Sequence, residues 1–278
     1  MEEKLKEKRV ILEVNHLTIS FSQYNGRFSR REIYPVRDLN LSVRSGEITA
    51  VVGASGSGKS LLAHAVMGIM PYNCSVTGEL LYEGSPLNED RLKTLRGSKI
   101  AFVPQGVSYL DPLMRVGDQI RKGQKKKESR EKSLELLKRY GLGEETERLY
   151  PFEISGGMAR RVMIASALME QPELVIADEP TPGLDRKTAL RVMGHFREIS
   201  QMGAGVFVIT HDLKLALETA DRILIFHEGM VVEEVAPEEF RSGTNLKHSY
   251  TKALYEAMPE HGFRVWSREG EALETGSR

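Results

Sequence analysis

Cysteine is almost absent: the chain has one, Cys74, among 278 residues. A single thiol excludes an internal disulfide and any cluster of cysteine ligands, and Cys74 is expected to be a small packed residue. Net charge is missing too, with 39 basic residues against 39 acidic ones. That balance removes the global basic excess that drives sequence-independent nucleic-acid binding, so no nucleic-acid partner is expected. The lysine run at 125–127 reads as the solvated face of a surface helix, and the lone tryptophan, Trp266, as a packing residue. No stretch reaches the roughly 18–20 apolar residues that cross a bilayer. The opening MEEKLKEKRVILEV alternates acid and base and has no signal-peptide core. The expectation is a chain that folds in the cytoplasm and meets a membrane only through partners.

What is present is an ordinary globular composition, 40% hydrophobic and 28% charged, with no internal repeat. VILEVNHLTISF and PVRDLNLSVRSGEITAVVG read as strands, broken at SQYNGRFSRRE and RSGE. ITAVVG runs into glycines and then into KSLLAHAVMGIM, whose apolar spacing is helical. VTGELLYEGSPL looks like an antiparallel hairpin, and SKIAFVPQ like a buried strand. Helical patterning fills about 106–170, where ESREKSLELLKRYGLG closes on a glycine. Strands return at ELVIADEP, GAGVFVITHD and RILIFHEGMVVEEV, with RKTALRVMGHFREISQMG helical between the first two. This alternation predicts an α/β protein with a largely parallel sheet covered by helices.

GASGSGKS, Gly53 to Ser60, fits the phosphate-loop pattern between a strand and a helix. In such a loop Gly53, Ser55, Gly56 and Gly58 let backbone N–H groups turn inward around a phosphate. Lys59 reaches the β/γ oxygens, and Ser60 can ligate magnesium. LVIADEP is an apolar strand that ends in two acids, Asp178 and Glu179. In a nucleotide site the first would hold magnesium and the second would orient or deprotonate the attacking water. VFVITHD delivers His211 in the same way, and IAFVPQ delivers Gln105. Singly, each has an ordinary structural explanation. As neighbouring ends of one parallel sheet they converge on the edge where such sheets bind nucleotides. A second glycine corner, ISGGM at 154–158, stands at the head of another helix.

In order and type these motifs resemble the ATP-binding subunits of ABC transporters, over roughly residues 10 to 235. The resemblance implies a RecA-like P-loop NTPase core at about 10–105 and 171–235. It also implies an antiparallel β lobe near 77–84, an inserted α-helical lobe at about 106–170 and a C-terminal helical extension at about 236–258. Together these make one domain over 1–258, followed by a polar tail at 259–278. The cofactors implied are ATP and Mg2+, with Ser60, Gln105 and Asp178 on the metal. Gln105 corresponds to the Q-loop, His211 to the switch histidine and Asp185 to the D-loop. Ser155, Gly156 and Gly157 become the signature, which in this family faces ATP held by a second subunit. Phe21 best matches the aromatic that stacks on adenine, with Tyr34 and Tyr24 as alternatives.

SGGM followed by RRVMIASAL, the preceding YPFE, and HSYTKALYEAMP at 248–259 narrow the resemblance to the oligopeptide, dipeptide and nickel importer branch. The implied partners are a second, related ATPase subunit, two membrane permeases and an extracytoplasmic solute-binding protein. The implied place is the cytoplasmic face of the membrane. Ser249 replaces the branch's usual Pro, Ala159 and Arg160 stand where Arg-Gln is common, and QGVSYLDP is a residue shorter than the branch's usual stretch. The missing C-terminal cysteines tilt the cargo toward nickel or metal chelates. Two other readings fit less well. A ribosome or nucleic-acid ABC ATPase usually carries two cassettes or zinc insertions, and a phosphate-loop kinase leaves the signature unexplained.

Overall fold

The computed structural model describes residues 8–25, 29–259, 265–266 and 272–273. Six strands form the central sheet in the order β10 (Met230–Val235), β9 (Arg222–His227), β3 (Glu47–Val52), β8 (Gly205–Thr210), β7 (Leu174–Asp178), β6 (Ile100–Val103). All neighbours from β9 to β6 run parallel, and only edge strand β10 is antiparallel. Every residue of β3, β7 and β8 is buried, as expected for parallel strands covered on both faces. Alternation sorts their side chains. Ile48, Ala50, Val52, Val206 and Val208 join one core with the helices α5 (Gly156–Leu168) and α6 (Arg186–Gln201). Val51, Phe207 and Ile209 join a second core with the antiparallel lobe. Truncating the fully buried Phe207 to Ala should cost about 3–5 kcal/mol.

The lobe is a sheet of β2 (Ser29–Arg44), β1 (Val10–Asn25), β4 (Cys74–Tyr82) and the short β5 (Ser85–Pro86). The hairpin read from VTGELLYEGSPL is β4 with β5. The expected break over SQYNGRFSRRE is narrower than its composition suggests. Strand pairing continues from Phe21↔Ile33 out to Asn25↔Ser29, because a paired ribbon satisfies backbone groups that polar side chains there could not. Cys74 is half-buried and unoxidised beside Phe21, in keeping with a packing role.

Between β6 and β7 the chain is helical, with α3 (Val116–Ile120), α4 (Lys127–Arg139) and α5 joined by short 3-10 turns. Lys127 opens α4 and Gly141 follows it with φ +67°, the left-handed close that the sequence signalled. One helix escaped the sequence reading: α2 (Glu89–Leu95), capped by Asn88, whose side chain accepts from Arg91 N at 2.9 Å. Asn followed by two acids was a legible start signal. Beyond β10 lie α8 (Pro237–Ser242) and α9 (Ser249–Glu256). Ser249 starts α9 where the branch has Pro. The helix still forms because His248 caps it, Nδ1 accepting from Tyr250 N at 3.2 Å. Of the tail, Val265–Trp266 pairs with Ala272–Leu273, and the packing expected of the Trp266 side chain lies outside the described residues. Among the described residues no helix is long and apolar enough to cross a membrane.

Candidate functional site

The phosphate loop leaves β3 at Gly53 and enters α1 (Lys59–Met67). Its glycines answer to the surrounding fold. A Cβ on Gly53 would stand 2.3 Å from the carbonyl oxygen of Phe226 on β9. Gly58, at φ +104°, turns with its α-carbon against Pro35, whose carbonyl lies 3.0 Å from the same imagined Cβ. Only glycine fits such approaches. Ser55 and Gly56 are exposed, while Lys59 is buried, 4% accessible. Its ammonium bonds back to Gly53 O at 2.9 Å, Ala54 O at 2.7 Å and Ser57 Oγ at 3.4 Å, which occupies all three of its donors. Burial lowers the Lys59 pKa, and the charges of Glu179 and Asp178 pull it the other way.

Asp178 ends β7 beneath the loop and accepts from Ser60 Oγ at 3.0 Å. Burial raises its pKa; the neighbouring Glu179 carboxylate adds to that, and the Ser60 bond and the Lys59 charge oppose it. Glu179 has a left-handed backbone at φ +47°, a strained state for a residue with a side chain. It is anchored by its N–H on Ile209 O of β8 at 2.8 Å. Oε1 lies 2.8 Å from His211 Nδ1, and Oε2 is buried with no partner. His211 follows β8, and its ring is half-exposed. Gln105 lies two residues past β6, exposed. Four strand ends thus bring the phosphate loop, Asp178–Glu179, His211 and Gln105 to one edge of the sheet. A hydroxyl and a carboxylate oxygen 3.0 Å apart, with an unpartnered buried carboxylate oxygen on the next residue of the chain, suit a small hard cation that keeps waters and phosphate oxygens as its other ligands. Among the described residues no set of three or more His, Cys, Asp or Glu could hold a metal unaided.

The second glycine corner stands on a different element, the head of α5. Ser155 caps α5, accepting from Met158 N at 3.3 Å, and its own hydroxyl proton stays available to an anion. A Cβ on Gly156 would meet nothing, and one on Gly157 only Leu184 Cδ2 at 3.8 Å. Asp185, one residue on from Leu184, is exposed and caps α6, accepting from Thr188 N at 3.0 Å and Thr188 Oγ1 at 2.6 Å. Phe21 is half-buried on the lobe's core, opposite Ile33 and Cys74. Tyr34 is exposed, its hydroxyl bonded to Glu32, one residue from the Pro35 that backs Gly58. The Tyr24 side chain lies outside the described residues. One contributor went unrecognised in the sequence: Arg160, met only as an odd substitution, is buried and bonds to the backbone of both Gln105 and Glu179.

Residues 36–182 match the family model described as "ABC transporter". The chain is 37% identical over 269 residues to the oligopeptide transport ATP-binding protein OppD of Lactococcus lactis subsp. cremoris, covering 91% of this chain and 77% of that protein. It is 36% identical to OppD of Salmonella typhimurium, covering 90% of this chain and 76% of that protein. With the dipeptide transport ATP-binding protein DppD of Bacillus subtilis it shares 33% identity, covering 90% of this chain and 77% of that one. Among solved structures it superposes on the dimeric bacterial ABC transporter cassette MJ0796 with a TM-score of 0.71 at 30% identity, over 82% of this chain and 99% of that one. The same cassette in a post-hydrolysis state bound to ADP and Pi gives 0.71 at 29% identity, again over 82% and 99%.

Proposed function

This chain belongs to the ABC transporter family and is an ATPase, and from that premise we propose that it powers peptide import, with its two glycine corners serving two different ATP molecules. The backbone of Gly53, Ser55, Gly56 and Gly58 cradles the phosphates of its own ATP. Lys59 leaves the loop carbonyls for the β/γ oxygens, and Phe21 stacks on the adenine, with Tyr34 as the alternative. Ser60, Asp178 and Gln105 would hold Mg2+, which would neutralise charge on the transferred phosphoryl group. Glu179 takes the proton of the attacking water through Oε2, the oxygen left unpartnered in the structure. His211 holds the other oxygen, Oε1, and fixes the carboxylate's orientation toward the γ-phosphate. Ser155, the N–H groups of Gly156 and Gly157, and Asp185 meet the ATP of a partner subunit.

The observation that carries the hydrolytic half is the Glu179–His211 contact at 2.8 Å, with Oε2 free in a buried site. Replacing Glu179 by Gln should leave ATP binding intact and lower kcat by roughly 10²–10⁴. An ATP-held dimer should then accumulate on a sizing column. Unchanged phosphate release would remove Glu179 as the base. The open signature carries the two-subunit half: among the described residues a Cβ on Gly156 would meet nothing within 4 Å and one on Gly157 only Leu184, so packing requires neither glycine.

The peptide names of the relatives put peptides ahead of the nickel chelates toward which the sequence tilted. The partners are a second, related ATPase subunit, two permeases at the cytoplasmic face of the membrane and an extracytoplasmic solute-binding protein. A groove of about 430 Å³ between Phe102, Tyr109, Met114 and Met163, just past Gln105, is where a permease segment docks. Pull-down of the full chain from detergent extracts should bring two membrane permeases with it. Recovery of ribosomes or DNA in their place would overturn the transport reading.

A further inference from the structure

Arg160 sits one turn into α5, beyond the signature glycines, and is 8% accessible. Its guanidinium donates from Nη1 to the carbonyl of Glu179 at 2.6 Å and from Nη2 to the carbonyl of Gln105 at 3.0 Å. One side chain can span both because β6 and β7 are parallel neighbours in register, Val103 beside Ala177. The two carbonyls just past those strands are therefore brought within reach of a single planar fork. Glu179 is also the strained residue of the site, at φ +47°. Its N–H is fixed by β8 and its C=O by Arg160, so the helix supplies one of two clamps on a backbone that would relax without them. Burying a guanidinium against neutral carbonyls is costly. Burial does lower its pKa, with the charge of Glu179 opposing. Holding a peptide orientation is what this arrangement achieves.

We propose that Arg160 is a positioning residue that ties the backbones of Glu179 and Gln105 to the helix whose head meets the partner's ATP, so that ATP at one site sets the catalytic carboxylate of the other. The coupling rests on the reading of Ser155–Gly157 as the cradle of the partner's nucleotide. When that ATP draws the head of α5 inward, Arg160 carries the shift one turn down the helix and through two hydrogen bonds. Both bonds end on residues of this chain's own hydrolytic site. An occupied signature tightens a hold on Glu179 that β8 and His211 already provide in part. The branch's usual Gln at this position has one amide group, while arginine grips both carbonyls at once.

The experiment uses the full-length chain in its assembled ATPase dimer, with Mg-ATP as substrate. Arg160→Met keeps an unbranched apolar stem and removes the donors. It should lower kcat at least about tenfold, leave the ATP KM within about twofold and flatten any cooperativity in ATP. Arg160→Gln, which keeps an amide donor, should recover most of the lost kcat at the same KM. A kcat near wild type in Arg160→Met overturns the proposal, and so does a parallel fall of kcat, ATP affinity and melting temperature, which marks a merely structural role. If Arg160→Met does not fold, Arg160→Lys decides: a kcat loss at unchanged KM supports the fork, and wild-type turnover removes it. The two readings fail separately. Signature substitutions that weaken ATP binding to the isolated chain strike the two-ATP reading, while wild-type kcat in the Arg160 variants strikes only the coupling.

Discussion

The two glycine corners look alike in sequence and differ in what surrounds them. At the phosphate loop every constraint is internal: β9 leaves no room beside Gly53, Pro35 crowds Gly58, and Lys59 is bonded to the loop it belongs to. At the signature, Gly156 faces open space and the Ser155 hydroxyl proton stays uncommitted. Gly53 and Gly58 are crowded by their own fold, and Gly156 is left open. Glycine alone therefore does not identify a binding site. What the missing side chain would have struck tells whether packing requires the glycine: it does at Gly53 and Gly58, and it does not at Gly56 or Gly156.

The sharpest way to break that contrast is Gly156→Asp. A carboxylate at the head of α5 should repel a partner's phosphates. Hydrolysis by the assembled dimer should fall on the order of 100-fold. ATP binding to the isolated chain, followed by fluorescence of a labelled nucleotide, should stay within about twofold. A loss of that binding would mean the two corners are not separate. A second comparison uses stability. Gly53→Ala forces a methyl into the Phe226 carbonyl and should cost about 1–3 kcal/mol, read as a lower denaturant midpoint. Gly156→Ala, in open helix, should lie within about 0.5 kcal/mol of wild type or gain slightly. Equal costs at both positions would erase the distinction.

The smallest effect concerns the buried acid below the loop. Asp178 has its pKa raised, chiefly by burial. In the folded chain it therefore holds its proton to higher pH than in the unfolded one. A group of this kind favours the fold at low pH and loses that contribution as pH rises through its folded pKa. Asp178→Asn removes the loss. Without nucleotide, its melting temperature should exceed wild type near neutral pH, and the gap should close below about pH 4, where the carboxyl is protonated in both states. A gap that widens toward acid would reverse the assignment. The same variant should lose magnesium-dependent turnover, so stability and activity move in opposite directions at one residue.

Most of the site was legible because its residues sit where apolar strands stop. LVIADEP, VFVITHD and IAFVPQ each announce a buried strand and then a polar residue, unremarkable singly, that gains meaning when the strand ends meet. The family resemblance supplied the pairing of subunits, which spacing could not. What stayed hidden lacks a local signal. Arg160 acts through two backbone carbonyls, 55 and 19 residues away, and carbonyls leave no mark in a sequence. Helix α2 did leave one, in Asn88 and two acids, and was passed over for want of a long apolar stripe. The β1–β2 ribbon outran its apolar residues because pairing, once begun, propagates through polar positions. For the adenine, the family resemblance favours Phe21, whereas exposure and position beside the loop favour Tyr34.

The folded-back Lys59 bears on how calorimetry of this protein should be read. An ammonium already holding three oxygen acceptors does not meet ATP as a free charge. It trades one set of acceptors for another. The heat released on binding is then a difference between two well-bonded states, and a small enthalpy would be no sign of a weak lysine contact.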